Sequence, residues 1–165
     1  MMETEKTGGR IPEDARWSES LKKAKEILAE GKDTCVLVKD DIVLTSRVRG
    51  VQPFLDWMAD GTDLSGFSAA DRAVGKAAAF LHVLSGIKEV YAPVISRPAA
   101  GVLRRYGIKA IYDLEVDAIS NRTKTGTCPM ELAVSGIEEA EEALAAVRKR
   151  LAELRPEQPA GQQDS

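Results

Sequence analysis

Ser68-Ala-Ala-Asp-Arg-Ala-Val-Gly-Lys-Ala-Ala-Ala-Phe-Leu-His-Val-Leu-Ser85 is the stretch whose reading decides how this chain folds. Alanines, Val74, Phe80, Leu81 and Leu84 leave it apolar almost all round, the mark of a helix buried on most sides. Ser68 stands three residues before Asp71 in the manner of a cap, so the pattern predicts a long helix over 69–85. Glu89-Val-Tyr-Ala-Pro-Val-Ile-Ser96 then reads as a strand, with Pro93 near its end. A helix over 97–106 ends at Gly107, and Ile108-Lys-Ala-Ile-Tyr112 reads as the next strand. Strands separated by helices imply parallel pairing through right-handed crossovers.

Working outward, Leu21, Ala24, Ile27 and Leu28 recur at helical spacing and predict a helix over 18–30 stopped by Gly31. Thr34 to Arg47 holds two β-branched runs on either side of Asp40-Asp41, a tight hairpin. A short amphipathic helix over 51–60 carries Phe54, Leu55, Trp57 and Met58. Beyond the second crossover, a short helix near 113–120 and a polar loop at 121–127 are expected. A last helix over 137–154 presents Ile137, Ala140, Leu144, Val147, Leu151 and Leu154 on one face, with acids early and bases late as the helix dipole favours. The expected fold is α/β, a mixed sheet that starts with a hairpin and is sandwiched by helices in an αβα arrangement.

Composition limits the function classes. The 165 residues suit one domain, here 17–154, flanked by polar tails at 1–16 and 155–165 that read as disordered. Net charge is −3 with both signs interspersed, which argues against a sequence-independent nucleic-acid binder. No window approaches the roughly 18 apolar residues of a membrane span. The amino terminus lacks the apolar segment of a signal peptide, so the expected compartment is the cytoplasm. Cys35 and Cys128 form no C-x-x-C pair, and a disulfide is not expected in a cytosolic chain.

The two helix starts carry a chemical comparison. A zinc-dependent nucleobase deaminase places H-x-E at the first and P-C-x-x-C at the second, for one imidazole, two thiolates and a proton-shuttling Glu. Gly75, Lys76 and Ala77 stand at the first place here; Pro98, Ala99 and Val102 stand at the second. The sequence has one His and two Cys, so no metal and no cofactor are expected, and the chain is not read as a zinc-dependent deaminase.

Val38-Lys-Asp-Asp, Ser46-Arg-Val-Arg-Gly-Val, Asp71-Arg-Ala-Val-Gly-Lys-Ala-Ala-Ala, Tyr106-Gly-Ile and Asn121-Arg-Thr-Lys-Thr-Gly-Thr-Cys-Pro-Met-Glu131 resemble the prokaryotic proteins grouped as domain of unknown function 1893. The resemblance covers about residues 18–153. It implies a three-layer αβα sandwich of the cytidine-deaminase type without zinc, and it implies no activity. The chain departs from the pattern at Asp41, where a turn glycine is expected.

Candidate site residues follow from residue chemistry. Lys76, in the first turns of an apolar helix, must snorkel or meet an anion. Gly75 beside it lets a ligand approach the backbone, and a helix N-terminus attracts anions through its free amides. Asn121, Arg122, Thr125, Gly126 and Thr127 form a polar loop able to cradle phosphate oxygens, although its spacing is not that of a P-loop. Pro129 suits a first helical position, with Cys128 or Thr127 as cap and Glu131 closing a capping box. Cys128 is the one candidate nucleophile, favoured by a helix dipole but without a neighbouring His. Arg47 and Arg49 add positive charge, and Asp71 could receive a ribose hydroxyl or a base amine. His82 and Cys35 read as core residues, the imidazole with one hydrogen bond.

Three functions compete: a binding protein for a nucleotide-like or other anionic small molecule in the vacated pocket; an enzyme of other chemistry using Cys128, Lys76 or Asp71; and a homodimeric interaction scaffold with Phe54, Trp57 and Met58 as its apolar patch, although these three equally fit a simple cap on the core.

Overall fold

A computed structural model describes residues 17–48, 50–119, 126 and 128–154; both expected tails lie outside the described residues. Helix α1 (Glu19–Ala29) starts where Ser18 Oγ accepts the Leu21 N–H at 3.0 Å. It buries Leu21, Ala24 and Leu28, and Gly31 at φ 91° turns the chain out. Strands β1 (Cys35–Lys39) and β2 (Ile42–Ser46) form the expected hairpin around Asp40-Asp41. Helix α2 (Gln52–Ala59) has Pro53 in its first turn.

The stretch that opened the sequence reading divides differently from expectation. Residues 69–74 are strand, not helix: β3 (Ser68–Asp71) and β4 (Ala73–Val74) run as two short pieces, and only then does α3 (Lys76–Ser85) begin, with Gly75 as its N-cap residue. Ser68 is therefore no cap. Ala69 and Ala70 lie within the sheet, flanked by β1 on one side and β5 (Glu89–Ser96) on the other, and Asp71 pairs with β1. Alanine's helix preference is a few tenths of a kcal/mol per residue, and two ladders of hydrogen bonds override it. Helix α4 (Arg97–Arg105) and strand β6 (Lys109–Val116) follow. The strand runs through 113–116, where a short helix was expected. Helix α5 (Pro129–Ala133) is a single turn and a half, and α6 (Ala140–Leu154) starts three residues later than the pattern suggests.

The six strands make one mixed sheet. β2 forms one edge, followed by β1 and β3, all antiparallel to their neighbours except that β3 pairs parallel with β5. β4 continues along the same side of β5, and β6 covers its other side, both in parallel. The two faces bury separate sets. Val36, Val38, Ala70, Tyr91 and Ile111 pack with α1; Leu37, Ala69, Val90, Ala92 and Ile95 pack with Phe54, Phe80, Leu81, Leu103 and Val147. Phe54 is buried, and the half-buried Trp57 and Met58 pack against this second core, as in the alternative that has the segment cap the core.

One buried charge organises the α1 face. Glu89 is 2% exposed. Its carboxylate accepts from Ser18 Oγ and from Ser68 Oγ at 2.5 Å, and pairs with Lys109 Nζ at 3.2 Å. The α1 cap, the β3 start and the β6 start are thereby tied to one side chain, which satisfies a charge that would otherwise be costly to bury. Among the described residues no helix is long and apolar enough to cross a membrane.

Candidate functional site

Val74 pairs with Ile95, and Ser96 with Val116, so the chain leaves β4, β5 and β6 at one end of the sheet. Helices α3 and α4 both begin there. Ser96 caps α4, its Oγ accepting the Ala99 N–H at 3.1 Å. Gly75 brings no side chain to cap α3. The cap comes instead from 55 positions along the chain: Glu131 Oε2 accepts the Lys76 N–H at 2.5 Å. A methyl group on Gly75 would land on that carboxylate, 2.7 Å from its Cδ, and 3.2 Å from Ile119 Cγ1. Glycine is needed here for close approach, since its φ of −97° suits any residue.

Glu131 therefore caps α3 rather than closing a box on its own helix. Burial pushes its carboxyl above the ordinary value, with the Lys76 N–H and ammonium pulling the other way. Lys76, 7% exposed, turns its Nζ to the Ser135 carbonyl at 3.2 Å and to Glu138 at 3.7 Å. Cys128 precedes Pro129 and takes the Ile119 carbonyl through its N–H at 2.8 Å; its side chain makes no cap. Arg97, at the start of α4, pairs with Glu115 at 3.1 Å and Asp117 at 2.8 Å.

The sequence-derived set is only partly brought together. Gly75, Lys76, Glu131 and the segment at Cys128 meet at the α3 start. Arg47 follows edge strand β2 and pairs with Asp33 at 3.7 Å, outside this cluster. Asn121, Arg122, Thr125, Thr127 and Arg49 lie outside the described residues; Gly126 is exposed. Gly75, Ala77, Ala99 and Val102 offer no donor atom to a metal, and among the described residues no three His, Cys, Asp or Glu side chains could hold one. Ser135, Glu138 and Ile119 escaped the sequence reading. The one available signal was a lone glycine just ahead of an apolar run, which marks a close backbone approach.

Asp71 belongs to a different place, the buried face under α3. It pairs across the ladder with Cys35, and its Oδ2 lies 3.7 Å from His82 Nε2. His82 is fully buried, as expected of a core imidazole, with Nδ1 2.7 Å from the Ala78 carbonyl and its ring 4.5 Å from that of Phe54. Burial drives His82 down to about 4, the bond to Ala78 opposing, and drives Asp71 up to about 8. At neutral pH the imidazole is neutral and Nδ1–H donates to the carbonyl, so Nε2 presents a lone pair toward a protonated carboxyl. Burial, then the Asp71 charge, also holds the Cys35 thiol well above its ordinary value.

Residues 23–151 match the family model described as Domain of unknown function (DUF1893). The chain belongs to the DUF1893 family. A crystal structure of a DUF1893 family protein (TM1506) from Thermotoga maritima at 2.70 Å superposes with a TM-score of 0.73 at 24% identity, covering 84% of this chain and 93% of that one. At that identity the likeness speaks for the fold alone. No curated protein matches the chain. The DUF1893 assignment takes in the hairpin, both helix starts, Glu131 and most of α6, so the cluster at Gly75 lies wholly within the family's extent.

Proposed function

We propose that this protein is a cytoplasmic, zinc-free relative of the cytidine-deaminase fold that binds a small anionic, nucleotide-like molecule where α3 and α4 begin. Three features support the three-layer deaminase-like reading: the opening hairpin, the parallel β3/β4–β5–β6 order, and the start of both helices at the carboxyl ends of neighbouring strands. The binding reading rests on one observation. The α3 N-terminal amide already serves a carboxylate, Glu131, in a recess that exists because residue 75 has no side chain. A ligand phosphate or carboxylate would take that place, drawn by the helix N-terminus and the Lys76 ammonium.

Thermal-shift measurements with nucleotides, nucleosides, ADP-ribose and inorganic phosphate test the reading, in the wild-type protein and in Glu131→Gln. An anion that replaces Glu131 raises the melting temperature, and by more in Glu131→Gln, where the competing charge is gone. Flat profiles in both proteins, each folded, reject it. They would favour the interaction-scaffold reading, which draws support from Lys76 already being engaged by Ser135 and Glu138. An enzyme built on Cys128 has less support, because the one His of the chain lies on the buried face of α3 and is bonded to the Ala78 carbonyl.

A further inference from the structure

β2 closes one edge of the sheet, and its five residues, Ile42-Val-Leu-Thr-Ser46, contain no charge and no proline. Ile42 is 53% exposed and Val43 37% exposed, with Val48 47% exposed just beyond. Natural sheets blunt such edges with charges, bulges or proline. The opposite edge, β6, follows that rule: Asp113 bonds Tyr91, Glu115 pairs with Arg97, and Lys109 pairs with Glu89. β2 is the edge that is left inviting.

The hairpin register fixes which backbone groups face outward. Lys39 and Ile42 close a two-residue turn and so form a hydrogen-bonded pair. Such pairs alternate along an antiparallel ladder, so Leu37–Leu44 and Cys35–Ser46 are bonded as well. The N–H and C=O groups of Val43 and Thr45 point away from β1.

We propose that a second copy of this chain adds its β2 antiparallel to this edge, with the two-fold axis at Leu44. Val43 then exchanges both backbone hydrogen bonds with the second copy's Thr45, and Thr45 with its Val43. The same register sets Asp41 opposite Arg47 twice, at the two ends of the paired strands. Sliding the strands by two residues leaves only one of the two outward-facing residues paired within β2: one direction sets Thr45 against Asp41 in the turn, the other sets Val43 against Arg47 beyond the strand. Backbone pairing therefore selects the register, and the complementary charges of Asp41 and Arg47 favour a second copy as the occupant. Asp41 is exposed, and the Arg47 side chain is 72% exposed with Asp33 as its partner in the same chain. A strand-edge contact of this length is small, so the association is weak and concentration-dependent. It stands independently of any ligand at Gly75.

Sedimentation equilibrium of the full chain, from micromolar to millimolar concentration, reads the dimer directly. Asp41→Arg and Arg47→Asp each convert two attractions into two repulsions and weaken dimerisation about tenfold, while the double variant Asp41→Arg/Arg47→Asp restores it to within about threefold of wild type. Circular dichroism on each variant confirms that the monomer is folded. A wild-type protein that stays monomeric throughout, a dimer indifferent to both single swaps, or a double variant that does not recover would each overturn the proposal.

Discussion

Glu131 Oε2 sits 2.5 Å from the backbone nitrogen of Lys76, so a helix that begins at residue 76 is capped by a side chain 55 positions later. The arrangement depends on Gly75 having no Cβ. Gly75→Ala therefore expels the carboxylate at no backbone cost, and stability falls by about 2–3 kcal/mol in urea titrations. The check on cause is non-additivity. In a Glu131→Ala background the new methyl meets no carboxylate, so the double variant loses at least about 1 kcal/mol less than the sum of the singles. Additive losses would mean that the glycine serves something other than this contact.

The Asp71–His82 pair gives the fold a definite pH dependence. Asp71 rises from 3.8 to about 8 on folding, so its contribution is complete at low pH and is lost as pH climbs toward 8. His82 falls from 6.5 to about 4, so its contribution is complete above 6.5 and is lost as pH drops toward 4. The two oppose each other between 4 and 6.5. From 6.5 to 8 Asp71 acts alone of the pair. Stability should decline across that window by at most about 1.4 kcal/mol per pH unit. Denaturant midpoints at several pH values measure the slope, and Asp71→Asn should flatten it. A wild-type profile that rises through the window contradicts the assignment.

Much of the architecture was legible before any coordinates. The hairpin, the α1 face of Leu21, Ala24 and Leu28, the β5–α4–β6 crossover and the Pro129 helix start all follow from local pattern. The error at 69–74 has a physical origin. Ala-Ala-Asp-Arg-Ala-Val fits a helix by propensity, and the ladders that make it a strand come from β1, over thirty positions upstream, and from β5. Helix was likewise expected at 113–116, where parallel pairing with β5 extends the strand through Val116. At the candidate site, Gly75 and Lys76 were visible as residue types. Glu131 was visible too but assigned to its own helix, because a cap supplied from another element leaves no trace in spacing.

The hairpin turn offers a stabilising substitution. Asp40 takes φ 53°, the one non-glycine at positive φ among the described residues, so the strained position of the turn is Asp40 rather than Asp41. A left-handed conformation suits Asp better than most residues and glycine better still. Asp40→Gly should raise stability by about 0.5–1 kcal/mol in denaturant titrations. Asp41→Gly, where φ is not positive, should give no gain; equal effects at both sites would count against this turn geometry.

Glu89 is the buried charge on which three elements converge, and it should show the largest single loss. Burial alone would push its carboxyl up. Hydrogen bonds from Ser18 and Ser68, together with Lys109, outweigh burial and hold it below its ordinary 4.5. Its contribution is therefore complete above about pH 4.5 and is lost as pH falls below that value. Glu89→Ala removes the buried acceptor for two hydroxyls and the carboxylate that Lys109 pairs with, a loss of about 3–5 kcal/mol at two hydrogen bonds to a charged group. Ser18→Ala removes one of those hydroxyls along with the α1 cap and should cost about 1 kcal/mol. Because Ser18 acts partly through Glu89, adding Ser18→Ala to Glu89→Ala should cost measurably less than adding it to wild type. Hydrogen exchange supplies the structural readout: both variants should speed exchange at the start of α1 while leaving α3 amides protected, since α1 joins the fold through this carboxylate and α3 does not.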